Sequence, residues 1–174
     1  QDIIYNKLGP ALNAYRAPTD NDMNLYADWD IFDRWKEAGL DNMDNKLIDF
    51  YHEKIDEHTA QLFTKIKYSA NNESGFYHMV HYKVHSDGII HLKNRIVPYG
   101  ELPQLPKLGI QCQLPETFEN LQWFGRGPHE NYPDRKESAD VGLWHSTVEE
   151  QFVPYPKPQE TGNKEDVRKL WLTN

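Results

Sequence analysis

The chain has 174 residues, enough for one domain with a real core or two small ones, and a formal net charge of −8. That acidity excludes the nucleic-acid and anionic-membrane binders, whose partners want a basic surface, while neutral sugars need no charge attraction. Hydrophobic residues make up 38% but aromatic ones 13%, a bias toward large rings that suits a β-rich sandwich and suits sugar stacking equally.

The single cysteine, Cys112, excludes an internal disulfide and an all-cysteine zinc cluster. In the run Leu108-Gly-Ile-Gln-Cys-Gln-Leu114 it reads as a small buried thiol. It leaves the compartment open between cytoplasm and bacterial periplasm. No stretch approaches the roughly 20 apolar residues of a membrane span, and the start, Gln1-Asp-Ile-Ile-Tyr5, is no signal peptide. Strand-like and without an initiator Met, that start suggests a piece of a longer protein.

In chain order, the first predicted element is a helix over Ala27 to Leu40. Asp28 or Asp30 caps it, Ile31, Phe32 and Trp35 form its apolar stripe, and Gly39 is its left-handed stop. Strands are expected at Leu47–Ile55, across a meander from Gln61 to Val97, at Lys107–Leu114 and at Phe118–Phe124, with a short apolar Val141–Trp144 beyond. In the meander, Asn71-Asn-Glu-Ser-Gly75 and Ser86-Asp-Gly88 read as hairpin loops. Ala70 facing Phe76 and His85 facing Ile89 place Leu62, Ile66, Tyr68, Phe76, Val80, Tyr82, Val84, Ile90 and Leu92 on one face. Lys65, Lys67, His81, Lys83, His85, His91 and Lys93 take the other. Ile66, Val80, Tyr82 and Leu92 are therefore expected to be buried and Lys83, His85 and His91 exposed; a slip of one residue would invert both faces. With no repeats and no linker, the chain reads as one β-rich unit.

Trp123-Phe-Gly-Arg-Gly-Pro-His-Glu-Asn-Tyr-Pro-Asp-Arg-Lys136 is the stretch richest in chemistry. Gly125, Gly127, Pro128 and Pro133 exclude a helix or central strand, so a shaped loop is expected in which the glycines can take positive φ. Trp123 and Tyr132 are its likeliest partly exposed rings, although packing is the safer reading of each ring alone. Glycosidases cut with two converging carboxylates, yet Glu130, Asp134 and Glu137 have no period that would hold them on one face. They are expected to pair with Arg126, Arg135 and Lys136 or to accept from backbone amides. His81, His85 and His91 stand among lysines that repel a metal. Asp20-Asn-Asp22, with Asp28 and Asp30, lacks the glycine and distal glutamate of a calcium loop, so a turn with helix capping comes first and calcium second.

Three blocks in order, Arg16–Asp22, Trp123–Lys136 and Tyr155–Asn163, resemble the C-terminal small-chain domain (the fifth) of the β-galactosidases of glycoside hydrolase family two. Asp33-Arg-Trp-Lys-Glu-Ala-Gly39 and Leu108–Leu114 fit as well, so the resemblance spans nearly the whole chain. It implies a mainly β fold, an antiparallel supersandwich similar to galactose mutarotase, here truncated to its N-terminal part as a single incomplete domain with one short helix. It implies a partner: a catalytic (β/α)₈ barrel, in the same protein or a large subunit, that holds both catalytic glutamates and hydrolyses terminal non-reducing β-D-galactose residues. A galactoside is then the substrate, no catalytic residue or metal site falls in this chain, and no cofactor does. The Mg and Na ions of the family belong to other domains. The tryptophan that the family sends into the galactosyl pocket belongs to a later region, so none here inherits that role. Unpaired strand edges in a truncated sandwich invite association with neighbouring chains, identical ones included.

On this reading the chain supports the barrel and helps wall the sugar site. Arg16, Asp20, Asn21, His129, Glu130 and Asn131 are the candidates for site-facing or domain-locking polar residues, since Arg and Asn offer fixed donors to hydroxyls. Two alternatives stand beside it. One is a free-standing carbohydrate-binding β-sandwich, which exposed aromatics on a sheet would favour. The other is an aldose epimerase of the mutarotase type, which needs a histidine acid and a carboxylate base converging over one sheet.

Overall fold

The computed structural model describes residues 9–23 and 31–174. The described residues are mainly β, with antiparallel sheets and one α-helix among them. The strands are β1 (Ala11–Asn13), β2 (Asp44–Lys54), β3 (Thr59–Ser69), β4 (Gly75–His85), β5 (Ile90–Tyr99), β6 (Gly109–Gln111), β7 (Asn120–Gly127), β8 (Asp140–Thr147) and β9 (Lys169–Thr173), and the helix is α1 (Ile31–Glu37). The described residues gather into two compact units, one of residues 12–16, 22, 23 and 31–109, the other of residues 9–11, 17–21 and 110–174.

In the first unit, β2 to β5 form a four-stranded meander in sequence order. The second turn closes as expected, with His85 N–H donating to the Ile89 carbonyl at 2.9 Å and Val84 opposite Ile90. The first hairpin is registered two residues tighter than the sequence suggests, with Tyr68 opposite Phe76 and Ile66 opposite His78. Asn72 and Glu73 both take a left-handed φ of 55°, so Ala70 N–H already reaches the Ser74 carbonyl at 2.9 Å. Gly75 is thereby a strand residue, at φ 148°, where a β-carbon would collide with the Tyr68 carbonyl. A two-residue shift leaves the face of every side chain unchanged, because the strand period is two.

The core lies at one end of that apolar face. Leu12, Ala14, Trp35, Leu40, Tyr68 and Phe76 are buried together, with Ile31, Phe32, Leu102 and Leu105 packed against them. Trp35 comes from α1 and donates its indole N–H to the Gln104 carbonyl at 2.9 Å. Gly39, at φ 70°, stops the helix as expected, and the hairpin loop completes its end: Asn71 donates to the carbonyls of Glu37 and Ala38 at 2.8 and 2.9 Å. Residues 27–30, with the expected caps Asp28 and Asp30, lie outside the described residues.

Further along the same face the cover ends. Val80 is 2% exposed, Ile66 and Tyr82 are half-buried, and Leu92 is 42% and Ile90 55% exposed, so the expected burial of Ile66, Tyr82 and Leu92 is corrected: the covering residues concentrate over the Tyr68–Phe76 rung. His78, fully buried on the core face, bonds through Nε2 to Asn94 Oδ1 at 2.9 Å. On the opposite face Lys83 and His91 are exposed and His85 is half-buried. Cys112 is exposed rather than buried. The expected strand over Lys107–Leu114 shrinks to β6, and Cys112 lies beyond its end.

Val80→Ala is expected to cost about 1–3 kcal/mol, from lost apolar transfer plus a residual cavity. Leu92→Ala should cost less, because its side chain is already largely hydrated, and His91→Ala should stay within about 0.5 kcal/mol. Urea unfolding of the three variants checks the order.

Candidate functional site

The second unit is built around β7, the central strand of a three-stranded antiparallel sheet ordered β8-β7-β9. This corrects the expected loop: Trp123 to Gly127 is central strand, and irregular chain starts at Pro128, after a cis peptide bond. Neither glycine has a positive φ. They are needed for close approach instead. A β-carbon on Gly127 would lie 2.7 Å from Trp144 Cδ1 and 2.9 Å from Trp123 Cζ2, and one on Gly125 would lie 2.8 Å from Val167 Cα. Packed over those glycines, Trp123 is 2% exposed rather than partly open. Its indole N–H donates to the Arg126 carbonyl at 2.9 Å.

Beyond Pro128 the chain folds onto residues 155–166 through buried polar groups. Asn131 is fully buried. Its backbone N–H donates to the Asn163 carbonyl at 2.8 Å, and its own carbonyl accepts from Asn163 Nδ2 at 2.7 Å. Its side-chain Nδ2 donates to the His129 carbonyl at 3.0 Å, and its Oδ1 accepts from Glu165 N–H at 2.7 Å. Only an amide supplies a donor and an acceptor in that span; an aspartate would lose the donor and bury a charge.

Glu130, 8% exposed, sits beside it. Oε1 accepts from Arg135 and from the Tyr155 hydroxyl, and Oε2 accepts from Gly162 N–H at 2.8 Å. Burial opposes its charge, but the Tyr155 hydroxyl, the Gly162 amide and the Arg135 guanidinium outweigh it and hold the carboxyl below its ordinary value. The same burial, with the charges of Glu130 and Glu160, pushes the Tyr132 hydroxyl up to about 12. A cavity of about 440 Å³ opens here, lined by Trp123, His129, Glu130, Arg135, Tyr155 and Lys164 among others. Burial also lowers the Lys164 ammonium, despite Glu130; it stands 5.4 Å from the centre of the Trp123 ring.

The other candidates fall in different settings. Asp20 is exposed and exchanges two bonds with Gln159, at 3.2 and 3.0 Å, and Lys157 Nζ lies 3.4 Å away. His129 is exposed and meets Ser138 Oγ at 3.0 Å. Asn21 is exposed in the 3₁₀ turn Asp20–Met23. Arg16 belongs to the first unit, forked onto Asp22 at 2.6 and 3.3 Å with its guanidinium over the Trp35 ring. The structure thus ties Asp20, Glu130 and Asn131 to one segment, residues 157–165.

Four participants were not among the site candidates read from the sequence. Tyr155 and Asn163 lie at the ends of the third block, where their types gave a signal. Arg126 and Asp166 pair at 2.6 Å across 40 positions, and Arg126 also donates to the carbonyls of Lys136 and Ala139 at 3.0 and 2.7 Å. Nothing local announces that pair.

A family model described as beta galactosidase small chain matches residues 1–174. Among curated relatives, a β-galactosidase of Priestia megaterium is 32% identical over 162 residues, covering 93% of this chain and 15% of the relative. One of Vibrio cholerae is 32% identical over 163 residues, 91% of this chain and 16% of the relative. One of Enterobacter cloacae is 30% identical over 165 residues, with the same coverage of both chains. The chain therefore spans about 15% of the length of these relatives.

Gly127→Val is expected to destabilise the protein by about 1–3 kcal/mol, because two indoles must move. Gly109→Ala, where a β-carbon meets nothing within 4 Å, should be near neutral. Melting curves of the pair separate close approach from a general effect of glycine loss.

The pH dependence has two arms. Glu130 has a lowered folded-state pKa, so its stabilisation is present above about pH 4.5 and lost as pH falls through the folded value. Tyr132 has a raised one, so its share is present below about pH 10 and lost as pH rises from there toward 12. Glu130→Gln should flatten the acid arm and Tyr132→Phe the alkaline arm, read as melting temperature against pH.

Proposed function

Because the chain belongs to the β-galactosidase small-chain family, we propose that it is a non-catalytic region of a β-galactosidase, which supports the catalytic barrel and helps wall the sugar site. The parent enzyme hydrolyses terminal β-D-galactose residues with two glutamates held in another domain, and needs no cofactor from this chain. The observation that carries the reading is the state of Glu130. A general acid needs a raised pKa and access to the glycosidic oxygen, and a nucleophile needs a second carboxyl about 5 Å away. Glu130 instead has a lowered pKa, and its two oxygens are spent on Arg135, Tyr155 and the Gly162 amide. Those are the contacts of a latch.

In this reading Glu130 and Asn131 lock the Pro128–Lys136 loop to the 157–165 segment, Asp20 ties a second strand of chain to it, and Arg16 braces the first unit. Asn21 and His129, both exposed, are the residues left to meet substrate or barrel. The epimerase alternative draws less support, since His81 is held by Gln61 at 3.0 Å and His85 packs on His91, with centroids 5.3 Å apart.

The 174-residue chain alone is expected to turn over no nitrophenyl β-galactoside. In the full-length protein, Glu130→Gln should lower the melting temperature, consistent with about 1–3 kcal/mol for hydrogen bonds to a charged group, while kcat stays within about tenfold of wild type. A variant that keeps its melting curve but loses turnover would overturn the supporting role.

A further inference from the structure

The face of the β2–β5 sheet opposite the core carries a groove that neither the Glu130 latch nor the supporting role uses. It runs across the strands between two rungs. One wall is Tyr51, Phe63, His81 and Lys93, opposite one another in that order; the other is Asp49, Lys65, Met79 and Arg95. The space between them is about 310 Å³.

The first wall is rigid. Ring centroids are 6.0 Å apart from Tyr51 to Phe63 and 4.2 Å from Phe63 to His81, whose planes differ by 8°. Glu53 accepts from the Tyr51 hydroxyl and from Gln61, and Gln61 in turn meets His81 Nε2. Tyr51 is nevertheless 51% exposed and Phe63 37%. An ordered aromatic row left in water marks a contact surface. Stacked face to face, Phe63 and His81 turn their edges to the groove, and an aromatic edge is the positive end of the ring quadrupole.

Charge points the same way. The chain has 27 acidic residues against 19 basic ones, yet this face carries Lys46, Lys65, Lys67, Lys83, Lys93 and Arg95 against Asp44, Asp49 and Glu53. Lys93 and Arg95, at the β5 end of the two walls, make no ion pair among the described residues. Lys65 leans its ammonium on the Tyr77 ring, 5.2 Å from the centroid. The occupant this favours has carboxylates for the cations, further oxygens for the ring edges and an apolar body for the Met79 side chain.

The geometry points to a binding groove for a uronate-bearing oligosaccharide on this face, an inference that rests on the chain's place in a glycoside hydrolase. The Arg95 guanidinium forks onto a uronate carboxylate, which its planar donors match, and Lys93 adds a second charge. The sugar oxygens meet the positive edges of Phe63 and His81, and the sugar C–H surface packs on the Met79 side chain. An acidic peptide offers the carboxylates without a stiff apolar ring between them.

The test is calorimetric titration of the full-length protein with tetragalacturonate, a neutral galactotetraose, a sulfated galactan tetramer and tetraglutamate. Tetragalacturonate is expected to bind at least about tenfold more tightly than each of the other three, and to weaken with added salt. Phe63→Ala and Arg95→Ala should each weaken it by about tenfold or more, with nitrophenyl β-galactoside turnover at the wild-type value and with Arg95→Ala, which removes no packed ring, keeping the wild-type melting temperature. Absence of tetragalacturonate binding overturns the inference. So does equal or tighter binding of any of the other three, or uronate binding untouched by both variants. Turnover is read separately, so failure of the supporting-region reading would appear in the Glu130→Gln comparison and not in these titrations.

Discussion

The buried side chain of Asn131 is the interaction on which the second unit depends. An amide removed from water must regain its donors and acceptors inside the protein or cost several kcal/mol. Asn131 does so entirely on its own side of the sheet, from the His129 carbonyl and the Glu165 amide, while its backbone pairs with Asn163 on both sides. Because one partner is the carbonyl two positions before it and the other a backbone amide 34 positions on, one side chain fixes the path of two loops. Glu130 can then sit where Arg135, Tyr155 and the Gly162 amide meet, and Arg126 where it spans Asp166 and the carbonyls that end the loop. Polar satisfaction is doing here what apolar packing does elsewhere.

The first unit is stabilised in the other way. Its sheet is held by long antiparallel ladders, and its core is a small apolar cluster over one rung, closed by Trp35 from the helix and Leu12 from β1. Asn71 joins the two devices, since the hairpin that positions Tyr68 against Phe76 also supplies the donors that the helix C-terminus lacks. The remainder of the apolar face, past Val80, is left open among the described residues, with Ile90, Leu92 and Phe50 each at least 42% exposed.

Charge serves the protein in two ways. In the second unit, carboxylates are placed where cations and amides await them, so that Glu130 and Asp166 both titrate below their ordinary values. Such groups contribute to stability and are poor proton donors at neutral pH. In the first unit, Lys93 and Arg95 stand at a groove without carboxylate partners among the described residues, beside an ordered row of rings. Satisfied charges hold a fold, and unsatisfied ones at a groove leave binding energy for something else.

By itself the sequence determined the strand-rich class, the helix stop at Gly39 and the division of the meander into two faces. These follow from local rules: glycine tolerates a left-handed turn, and a period of two survives any even shift of register. The pairing of Glu130 with Arg135 was also legible, as neighbouring opposite charge. The tertiary structure decided what local rules cannot reach. It made Trp123–Gly127 a central strand, because the glycines are demanded by the indoles of Trp144 from β8 and Trp123 from β7 and by Val167, and not by any turn of their own. It tightened the first hairpin, because left-handed Asn72 and Glu73 moved Gly75 into the strand. It exposed Leu92 and Cys112, because burial depends on which distant residues supply cover. It joined Arg126 to Asp166 and Asn131 to Glu165, since a hydrogen bond records distance in space and leaves no trace in the spacing along the chain.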